Sequence, residues 1–460
     1  MHKVTVNGKI FLAEDGALLS DVLMKSGGGV SHICGGKGKC KKCLVAVDGN
    51  AVLSCQYRIH SDISVSFCSE DEIISETGAV ETAEKAENLC LALDIGTTTL
   101  ALALVSHDTK SIVKTVTRAN PQRVSGADVM SRIEYCRKNG VYGLQKPLID
   151  TINYMIVELS ADKTLEIYVS GNVTMLHIFL GIDCSSIGVA PYTPVFLEGR
   201  TVSGNSLGLN VSEVTTLPSI HSFTGADIVA GMSFVGFPKK GRYNLLVDLG
   251  TNAEIVLFNE DSALCTSAAA GPCFEGANIS CGMSATGGAV YSYKNGICHT
   301  VGNLPARGIC GTGLVDIVAG LLKNGTVDET GFMECESFPI TDGVEITQAD
   351  IREYQLAKSA VYSAIVTLVR QKGIAFDDIE TMYISGGFSA KISVENAVAT
   401  GLLPTELKDK CVAVNNSSLL GTVKYACEKS DLSQFIRNAT YLDLSASTDF
   451  SELFIENMVF

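Results

Sequence analysis

Two segments of this chain repeat one pattern, an apolar strand that runs into Asp-(Ile/Leu)-Gly-Thr and is followed by a second apolar strand. They are LALDIGTTTLALALV at 91–105 and LLVDLGTNAEIVLF at 245–258. Glycine permits the tight turn between the strands, and the N–H and hydroxyl groups of such a turn can hold phosphate oxygens. The copies lie too far apart for a stacked repeat. The pattern therefore predicts two similar half-domains that face one shared phosphate-bearing ligand.

The two turns supply the candidate ligand-binding and catalytic side chains. The predicted phosphate-binding residues are Gly96, Thr97, Thr98, Gly250, Thr251 and Asn252. Asp94 and Asp248 end the strands before the turns, where a carboxylate can hold Mg²⁺, usually through water. Glu254, two residues beyond Asn252, is the candidate that orients an attacking water, and a surface charge at a strand end is its alternative. Together these residues predict phosphoryl-transfer chemistry.

A third element indicates that the ligand carries a nucleoside. MYISGGF at 382–388 predicts an apolar strand that leads into Gly386, Gly387 and Phe388, where a nucleoside can lie against bare backbone. NNSSLLGTVKYA at 415–426 predicts a helix that packs beside it, with Gly421 permitting close approach. GICGTGLVD at 308–316, which contains Gly311, suits a nucleotide cleft and equally a tight turn from strand to helix. ATP is therefore the predicted ligand.

The cysteines near the N-terminus indicate a metal centre. CGGKGKCKKC places Cys34, Cys40 and Cys43 at C-x5-C-x2-C spacing, and Cys55 follows after eleven further residues. Four thiolates, three in a loop and one distant, are what a ferredoxin-type [2Fe–2S] cluster needs. A tetrahedral zinc site is the alternative, but the C-x5-C spacing is awkward for zinc and the surrounding strand pattern is ferredoxin-like. The spacing favours the [2Fe–2S] cluster.

Charge divides the chain into parts. Residues 1–69 carry eight Lys/Arg against five Asp/Glu, whereas residues 70–89 carry seven acids and one lysine. We therefore expect a ferredoxin-like domain over 1–69, an acidic linker over 70–89 and an ATPase domain over 90–460, whose lobes cover about 90–240 and 241–460. Strands at 4–6, 10–13 and 44–47 and a helix at 18–25 predict a β-grasp fold for the first part. Alternating apolar strands and amphipathic helices predict an α/β fold for the rest.

Composition limits the partners and the compartment. The net charge of −15 argues against a nucleic-acid partner. The sequence contains no run of 18 apolar residues, and its first residues lack a signal-peptide core, so we expect neither membrane insertion nor export. Sixteen cysteines without such a signal fit the reducing cytoplasm. The sequence leaves open whether the chain forms a homodimer.

The order of the motifs resembles a known superfamily. A first phosphate loop, a connecting segment YVSGNVTM at 168–175, a second phosphate loop and the adenosine motif resemble the acetate kinase/sugar kinase/Hsp70/actin (ASKHA) superfamily. With a ferredoxin-like domain in front, the chain resembles the reductive activators of corrinoid proteins. Further similar segments are NPQRVSGADVMSRIEYC, GNVTMLHIFLGI, APYTPVF, AAGPCFEGANISCGM, GICGTGLVDIVAGLL and ISGGFSAKI.

The resemblance implies an activity. Members reduce the Co(II) corrinoid, formed when a methyl-carrying cobamide protein is oxidised by accident, to methyl-accepting Co(I). It implies ATP-dependent one-electron transfer from a [2Fe–2S] cluster to a corrinoid protein in an anaerobic methyltransferase system, with a low-potential electron donor upstream. Each 100 mV uphill costs about 2.3 kcal/mol, which ATP can offset.

Two other functions stay open at this point. One is an electron activator of the 2-hydroxyacyl-CoA dehydratase type, although such proteins lack the N-terminal ferredoxin-like domain. The other is a redox-sensing regulatory ATPase, in which the cluster only reports oxidation. Formation of Co(I) in a cognate corrinoid protein would distinguish an activator of corrinoid proteins from both.

Overall fold

A computed structural model describes residues 1–6, 9–25, 43–48, 50–66, 88–126, 128–387 and 391–460 of this chain. Cys34, Cys40 and Phe388 lie outside the described residues, as does nearly all of the expected linker, 70–87. The domain boundaries expected from charge therefore stay a prediction.

The N-terminal part forms a small mixed sheet that carries one helix. Its described elements are β1 His2–Val6, β2 Lys9–Ala13, α1 Leu19–Lys25, β3 Leu44–Val47, β4 Asn50–Leu53 and β5 Ile63–Ser66. The strand order is β2-β1-β5-β3-β4, with β1 parallel to β5 and antiparallel to β2. Val4, Leu19 and Ile59 are fully buried between the helix and the sheet. The predicted β-grasp elements are present, but the strand that returns alongside β1 is β5, which the sequence did not indicate.

The first large sheet begins at residue 89. Its strands and the helices around it are β6 Leu89–Ile95, β7 Thr99–Ser106, β8 Ser111–Ala119, α2 Val129–Asn139, α3 Tyr142–Glu158, β9 Glu166–Gly171, α4 Val173–Phe179, β10 Arg200–Ser203, α5 Gly204–Leu207, β11 Glu213–Thr216 and α6 Ala226–Val235. The strand order is β10-β11-β9-β6-β7-β8. The strands β6, β7 and β8 form an antiparallel meander, and β9 runs parallel to β6.

The second large sheet follows. Residues 243–460 contain β12 Tyr243–Leu249, β13 Ala253–Phe258, β14 Ala263–Ala268, β15 Ala289–Lys294, β16 Ile297–Thr300, β17 Gly308–Ile309, α7 Gly311–Lys323, β18 Ser337–Thr341, β19 Val344–Thr347, α8 Gln348–Lys372, β20 Ile379–Ser385, α9 Val394–Ala399, β21 Cys411–Ala413, α10 Ser417–Glu428, α11 Ser433–Ile436, β22 Ala439–Tyr441 and α12 Thr448–Glu456. The strand order of the large sheet is β21-β20-β12-β13-β14-β22.

The two large sheets repeat one topology. In each, an antiparallel meander (β6-β7-β8 or β12-β13-β14) has a parallel neighbour, β9 or β20, beside its first strand. Asp94 pairs with Ser170 across β6 and β9, and Asp248 pairs with Ser385 across β12 and β20. The structure therefore confirms the predicted pair of similar strand–turn–strand units and places their aspartates at equivalent positions.

Helices α6 and α10 cross between the two sheets. A Cβ atom on Gly421 of α10 would lie only 1.9 Å from the Ala230 carbonyl oxygen of α6, so only glycine allows this crossing. Leu419 and Val423 of α10 join the core of the first large sheet. The opposite face of the second large sheet packs on α8. Gly421 does permit a close approach, but to α6 and not to the adjacent strand β20.

No helix in the described part of the chain is long and apolar enough to cross a membrane.

Candidate functional site

The first phosphate loop, Gly96–Thr98, is a turn fixed by backbone hydrogen bonds. The Gly96 N–H donates to the Thr99 carbonyl at 3.0 Å, and the Asn120 side chain donates to the Gly96 carbonyl at 2.8 Å. A Cβ atom on Gly96 would lie 2.7 Å from the Thr99 carbonyl oxygen, too close for any side chain. The sequence therefore folds here as a tight hairpin with Thr97 and Thr98 at its tip.

Two polar side chains hold this loop from behind. Arg132 of α2 is fully buried, and its Nη2 donates to the Thr97 carbonyl at 2.6 Å. Burial lowers the pKa of the Arg132 guanidinium to about 9. Asn172, the N-cap of α4, donates from Nδ2 to Thr97 Oγ1 at 3.1 Å. The sequence analysis missed both residues, although Arg132 and Asn172 lie within the family-like segments at 120–136 and 168–175.

The second phosphate loop, Gly250–Asn252, joins β12 to β13. The Gly250 N–H donates to the Asn252 carbonyl at 3.0 Å. Gly386, at the end of β20, has φ +113°, and a Cβ atom there would lie 2.1 Å from the Leu249 carbonyl oxygen. The predicted adenosine motif therefore packs directly against the strand that enters the second loop.

Glu275 joins the two phosphate loops. Its Oε2 accepts a hydrogen bond from Thr98 Oγ1 at 2.9 Å and another from Thr251 Oγ1 at 2.8 Å. Glu275 ends the short 3-10 turn Pro272–Glu275. Burial raises its pKa, and the bonds from Thr251 and Thr98 oppose that rise. The predicted loops thus face each other within reach of one carboxylate, which sequence reasoning did not single out.

Asp94 is held by the N-terminus of α10. Its Oδ1 accepts from Ser418 Oγ and its Oδ2 from Asn416 Nδ2, both at 2.7 Å. Only 9% of the residue's surface is exposed. Burial raises the pKa of Asp94, and the bonds from Ser418 and Asn416 oppose that rise. Both carboxylate oxygens therefore already have protein partners.

Asp248 and Glu254 lie among other acids. They pair across β12 and β13, and Asp227 in the first turn of α6 is close by. Burial, then the charge of Asp94, raises the pKa of Asp248 to about 7. Burial, with the charges of Asp94 and Asp248, raises the pKa of Asp227 to about 7. The pKa of Glu254 is raised well above its usual range by burial and by Asp227 and Asp248.

Asp227, Asp248 and Glu254 are each half-buried, and the region between these acids and the two loops is called the cleft below. Glu254 is half-buried beside Asp248. Its role towards water stays a prediction. The described residues contain no group of three or more His, Cys, Asp or Glu set to hold a metal directly. Contact with Mg²⁺ through water therefore stays the prediction for this cleft.

The remaining predicted nucleotide residues lie at helix and strand ends. Gly387 is exposed, and a Cβ atom there would meet nothing within 4 Å. Gly311 is buried at the first position of α7, where a Cβ atom on its neighbour Gly313 would lie 2.0 Å from the Val290 carbonyl oxygen. Gly313 thus serves the packing of α7 on β15. A part for Gly311 in nucleotide binding stays a prediction.

Two of the four predicted cluster ligands are described, and they meet. Cys43 Sγ lies 3.1 Å from Cys55 Sγ, and both side chains are buried. Burial raises the pKa of the Cys43 thiol to about 11. Two thiolates on one tetrahedral ion lie about 3.8 Å apart when each metal–sulfur bond is about 2.3 Å. The pair therefore fits two ligands of one metal after a small separation.

Comparison with known proteins gives one consistent family. A model of the RACo middle region matches residues 89–240, and a model of the C-terminal domain of RACo, the ASKHA domain, matches residues 242–460. The corrinoid activation enzyme RamQ of Eubacterium limosum is 26% identical over 572 residues, with 96% of each chain covered. A Co(II) methylated amine-specific corrinoid protein reductase of Methanosarcina barkeri is 28% identical over 411 residues, with 79% of this chain and 76% of that protein covered.

A solved structure agrees with these sequence matches. The structure of a reductive activator for corrinoid,iron-sulfur protein superimposes with a TM-score of 0.74 at 25% identity, and covers 100% of this chain and 98% of that one. The similarity therefore extends over the N-terminal sheet as well as the two large sheets.

Proposed function

Because this chain belongs to the RACo family of corrinoid-protein activators, we propose that it uses ATP to reduce the Co(II) corrinoid of a partner protein to Co(I). The finer parts of the proposal are an electron from a [2Fe–2S] cluster, Mg²⁺ with the ATP, and a low-potential donor upstream. The observation that carries it is the meeting of the two phosphate loops at Glu275, each loop preceded by an aspartate at the same position of its sheet.

The nucleotide end of the proposal rests on the donors around the cleft. Thr98 and Thr251 present hydroxyl groups from opposite sides, and the turn N–H groups add further donors to phosphate oxygens. Arg132 adds a buried positive charge behind the first loop. Asp248 has the environment of a carboxylate that gains from a cation, because its neighbours are acids. A hydrated Mg²⁺ beside the phosphates would relieve that repulsion.

The electron-transfer end of the proposal rests on the cysteines. A [2Fe–2S] cluster supplies one electron at low potential when it is bound. Cys43 and Cys55 already lie side by side, and Cys34 and Cys40 complete the set of four by their spacing. Burial keeps water from the two described sulfurs, which favours a stable site.

We propose that ATP binding is coupled to electron transfer by closure of the cleft. The phosphate loops belong to different sheets, so a ligand that contacts both changes how the sheets sit together. We infer that this movement alters affinity for the corrinoid partner, and that hydrolysis then releases it. Binding energy for ATP can offset an uphill electron transfer only if the two bindings are linked in this way.

The decisive experiment is anaerobic absorption spectroscopy of a Co(II) corrinoid protein mixed with the reduced chain. We expect Co(I) to form with ATP and much less of it without ATP. A dehydratase-type activator or a redox-sensing ATPase would hydrolyse ATP and leave Co(II) unchanged. That result with a cognate corrinoid protein would contradict the proposed substrate.

The cluster is tested separately. Anaerobically purified protein should contain two irons and two acid-labile sulfides per chain, and Cys55→Ala should lose them. Cys90→Ala is the matched control, because Cys90 is also buried but lies in β6. Stoichiometric zinc without labile sulfide would favour the alternative metal.

A further inference from the structure

We propose that Glu275 occupies the terminal-phosphate subsite while nucleotide is absent, and so sets how strongly and how selectively the cleft binds nucleotides. The inference rests on the proposed ATP binding and assigns a role to a residue that the loops alone do not indicate. Glu275 would discriminate between nucleotides by competition, because a ligand can bind in the subsite only by replacing this carboxylate.

The geometry of the bridge is that of a bound anion. One oxygen, Oε2, accepts from Thr98 Oγ1 at 2.9 Å and from Thr251 Oγ1 at 2.8 Å. A phosphate oxygen placed between the two loops needs the same two donors. None of the hydrogen bonds among the described residues joins Glu254, the other glutamate of the cleft, to either threonine. The bridge is therefore particular to Glu275.

The bridge and a phosphate exclude each other. A hydroxyl group has one proton to donate, so a threonine bonded to Glu275 cannot donate to a phosphate oxygen at the same time. A carboxylate left in place would also repel the incoming negative charge. ATP and ADP can replace Glu275 with their own charged oxygens. AMP and adenosine do not reach the subsite and leave the bridge intact.

The exchange requires only a side-chain rotation. The backbone of the turn is fixed, because Phe274 is buried and makes an edge contact with Tyr354 of α8, with ring centroids 5.9 Å apart. Gly276, which follows Glu275, has φ +80°, and a Cβ atom there would lie 2.5 Å from the Met283 backbone nitrogen. The same two hydroxyls thus donate to Glu275 when no nucleotide is bound and to phosphate when it is.

The test is calorimetric titration of ATP, ADP and AMP into the full chain, purified anaerobically, with and without Glu275→Ala. If the bridge forms in about nine-tenths of empty molecules, its removal should tighten ATP binding about tenfold. AMP binding should stay as in the unmodified protein. Glu275→Gln keeps the shape of the side chain and removes its charge, so it should give part of the gain and protects the test against a folding defect.

Two further variants separate competition from other effects. Glu254→Gln removes one charge from the same cleft without touching the bridge, and should tighten ATP binding less than Glu275→Gln. In a Thr98→Val/Thr251→Val background, Glu275→Ala should give a much smaller gain, because neither competitor has its donors and only the relief of charge repulsion remains.

The failures are distinguishable. If the unmodified chain binds no ATP, the proposed function fails. If it binds ATP and Glu275→Ala binds it equally or more weakly, only the competition is overturned. A loss of hydrolysis at saturating ATP with unchanged affinity would also overturn it and make Glu275 a catalytic group instead. An equal gain from Glu254→Gln would assign the effect to the charge of the cleft.

Discussion

The two large sheets share a five-stranded topology and differ in the place of their sixth strand, and their equivalent aspartates have different surroundings. Asp94 in the first sheet has both oxygens bonded to α10, by Ser418 and Asn416. Asp248 in the second faces Glu254 across the neighbouring strand, and its pKa is raised to about 7. Asp94 therefore has a partner on each oxygen, whereas Asp248 has the Ser385 hydroxyl and acidic neighbours, and gains from a proton or a cation.

The difference extends to the residues around each aspartate. Ala101 occupies the position opposite Asp94 that Glu254 occupies opposite Asp248. Both β9 and β20 end in Ser-Gly. The next residue is Asn172 after β9, which donates a hydrogen bond to Thr97, and Gly387 after β20, which has no side chain and has open space around it. We call the first sheet, whose Asp94 is bonded by α10, the held half. We call the second sheet, with Asp248 among acids and open space at Gly387, the open half. This asymmetry teaches that symmetry of fold need not give symmetry of function.

Exchanging each aspartate for asparagine tests this contrast most strongly. Asp248→Asn should lower ATP hydrolysis about 100-fold, as expected for losing a group that stabilises transferring phosphate charge. The thermal stability of this variant should stay the same or rise, because the substitution removes a carboxylate that burial and neighbouring acids disfavour. Asp94→Asn should instead lower the free energy of unfolding by about 1–3 kcal/mol, because the Asn416 amide loses its anionic acceptor.

Steady-state hydrolysis and thermal unfolding of both variants measure the two effects, and the visible spectrum checks that the N-terminal domain is unchanged. Equal loss of hydrolysis in both variants, with equal stability, would mean that the two aspartates share one role.

The next test uses the equivalent glycines Gly171 and Gly386. A Cβ atom at Gly386 would lie 2.1 Å from the Leu249 carbonyl oxygen, whereas one at Gly171 would lie 2.8 Å from that of Ile95. Strain of this kind costs about 1–3 kcal/mol, so Gly386→Ala should be near the top of that range and Gly171→Ala lower. Gly387→Ala is the control. Denaturant unfolding measures the free energy of unfolding of each variant. A larger loss for Gly171→Ala than for Gly386→Ala would contradict this ranking.

The cluster of Asp227, Asp248 and Glu254 should make the free energy of unfolding depend on pH. The pKa of Asp227 is about 7 in the folded chain, above its usual value near 3.8, so the folded state binds this proton more tightly than the unfolded state does. Stability without nucleotide and Mg²⁺ should therefore fall as pH rises from 4 to 7 and level off above that. Asp227→Asn should flatten the fall by a few degrees in Tm. A rise of Tm with pH across this interval would contradict the pKa direction.

The smallest effect is expected within the held half. Ser418→Ala removes one of the donors to Asp94 and should cost about 1–2 kcal/mol, with hydrolysis nearly unchanged. Ser417→Ala, at the neighbouring position bonded to Ser385, is the matched control. A large loss of hydrolysis from Ser418→Ala alone would place Asp94 in the catalytic step.

Local patterns carried much of the fold. Each Asp-Gly-Thr turn encodes its own hairpin, so β6–β7 and β12–β13 could be predicted from short segments. The strands β4 (NAVL) and β5 (ISVS) were missed because each mixes polar and apolar residues over only four positions, whereas β3, of the same length, is wholly apolar (LVAV).

The site was less predictable because its contacts are distant in sequence. Thr98 and Glu275 are 177 positions apart, and Asp94 and Asn416 are 322 apart. Arg132 gave no signal either, because it lies in a helix with several other charged residues and the sequence does not show which of them is buried. A glutamate inside a glycine-rich family segment was the available signal for Glu275.

The placement of α10 sets an order of events during synthesis. Ser418 follows Asp94 by 324 positions, so at about 5–20 residues per second a ribosome needs roughly 15–65 s to supply it. Until then the first large sheet lacks Leu419 and Val423, and Asp94 lacks its two donors from the start of α10. A chain stopped at residue 410 should be digested by protease throughout 89–240, whereas the full chain resists. Completion of the early half thus waits on nearly the last helix to be translated.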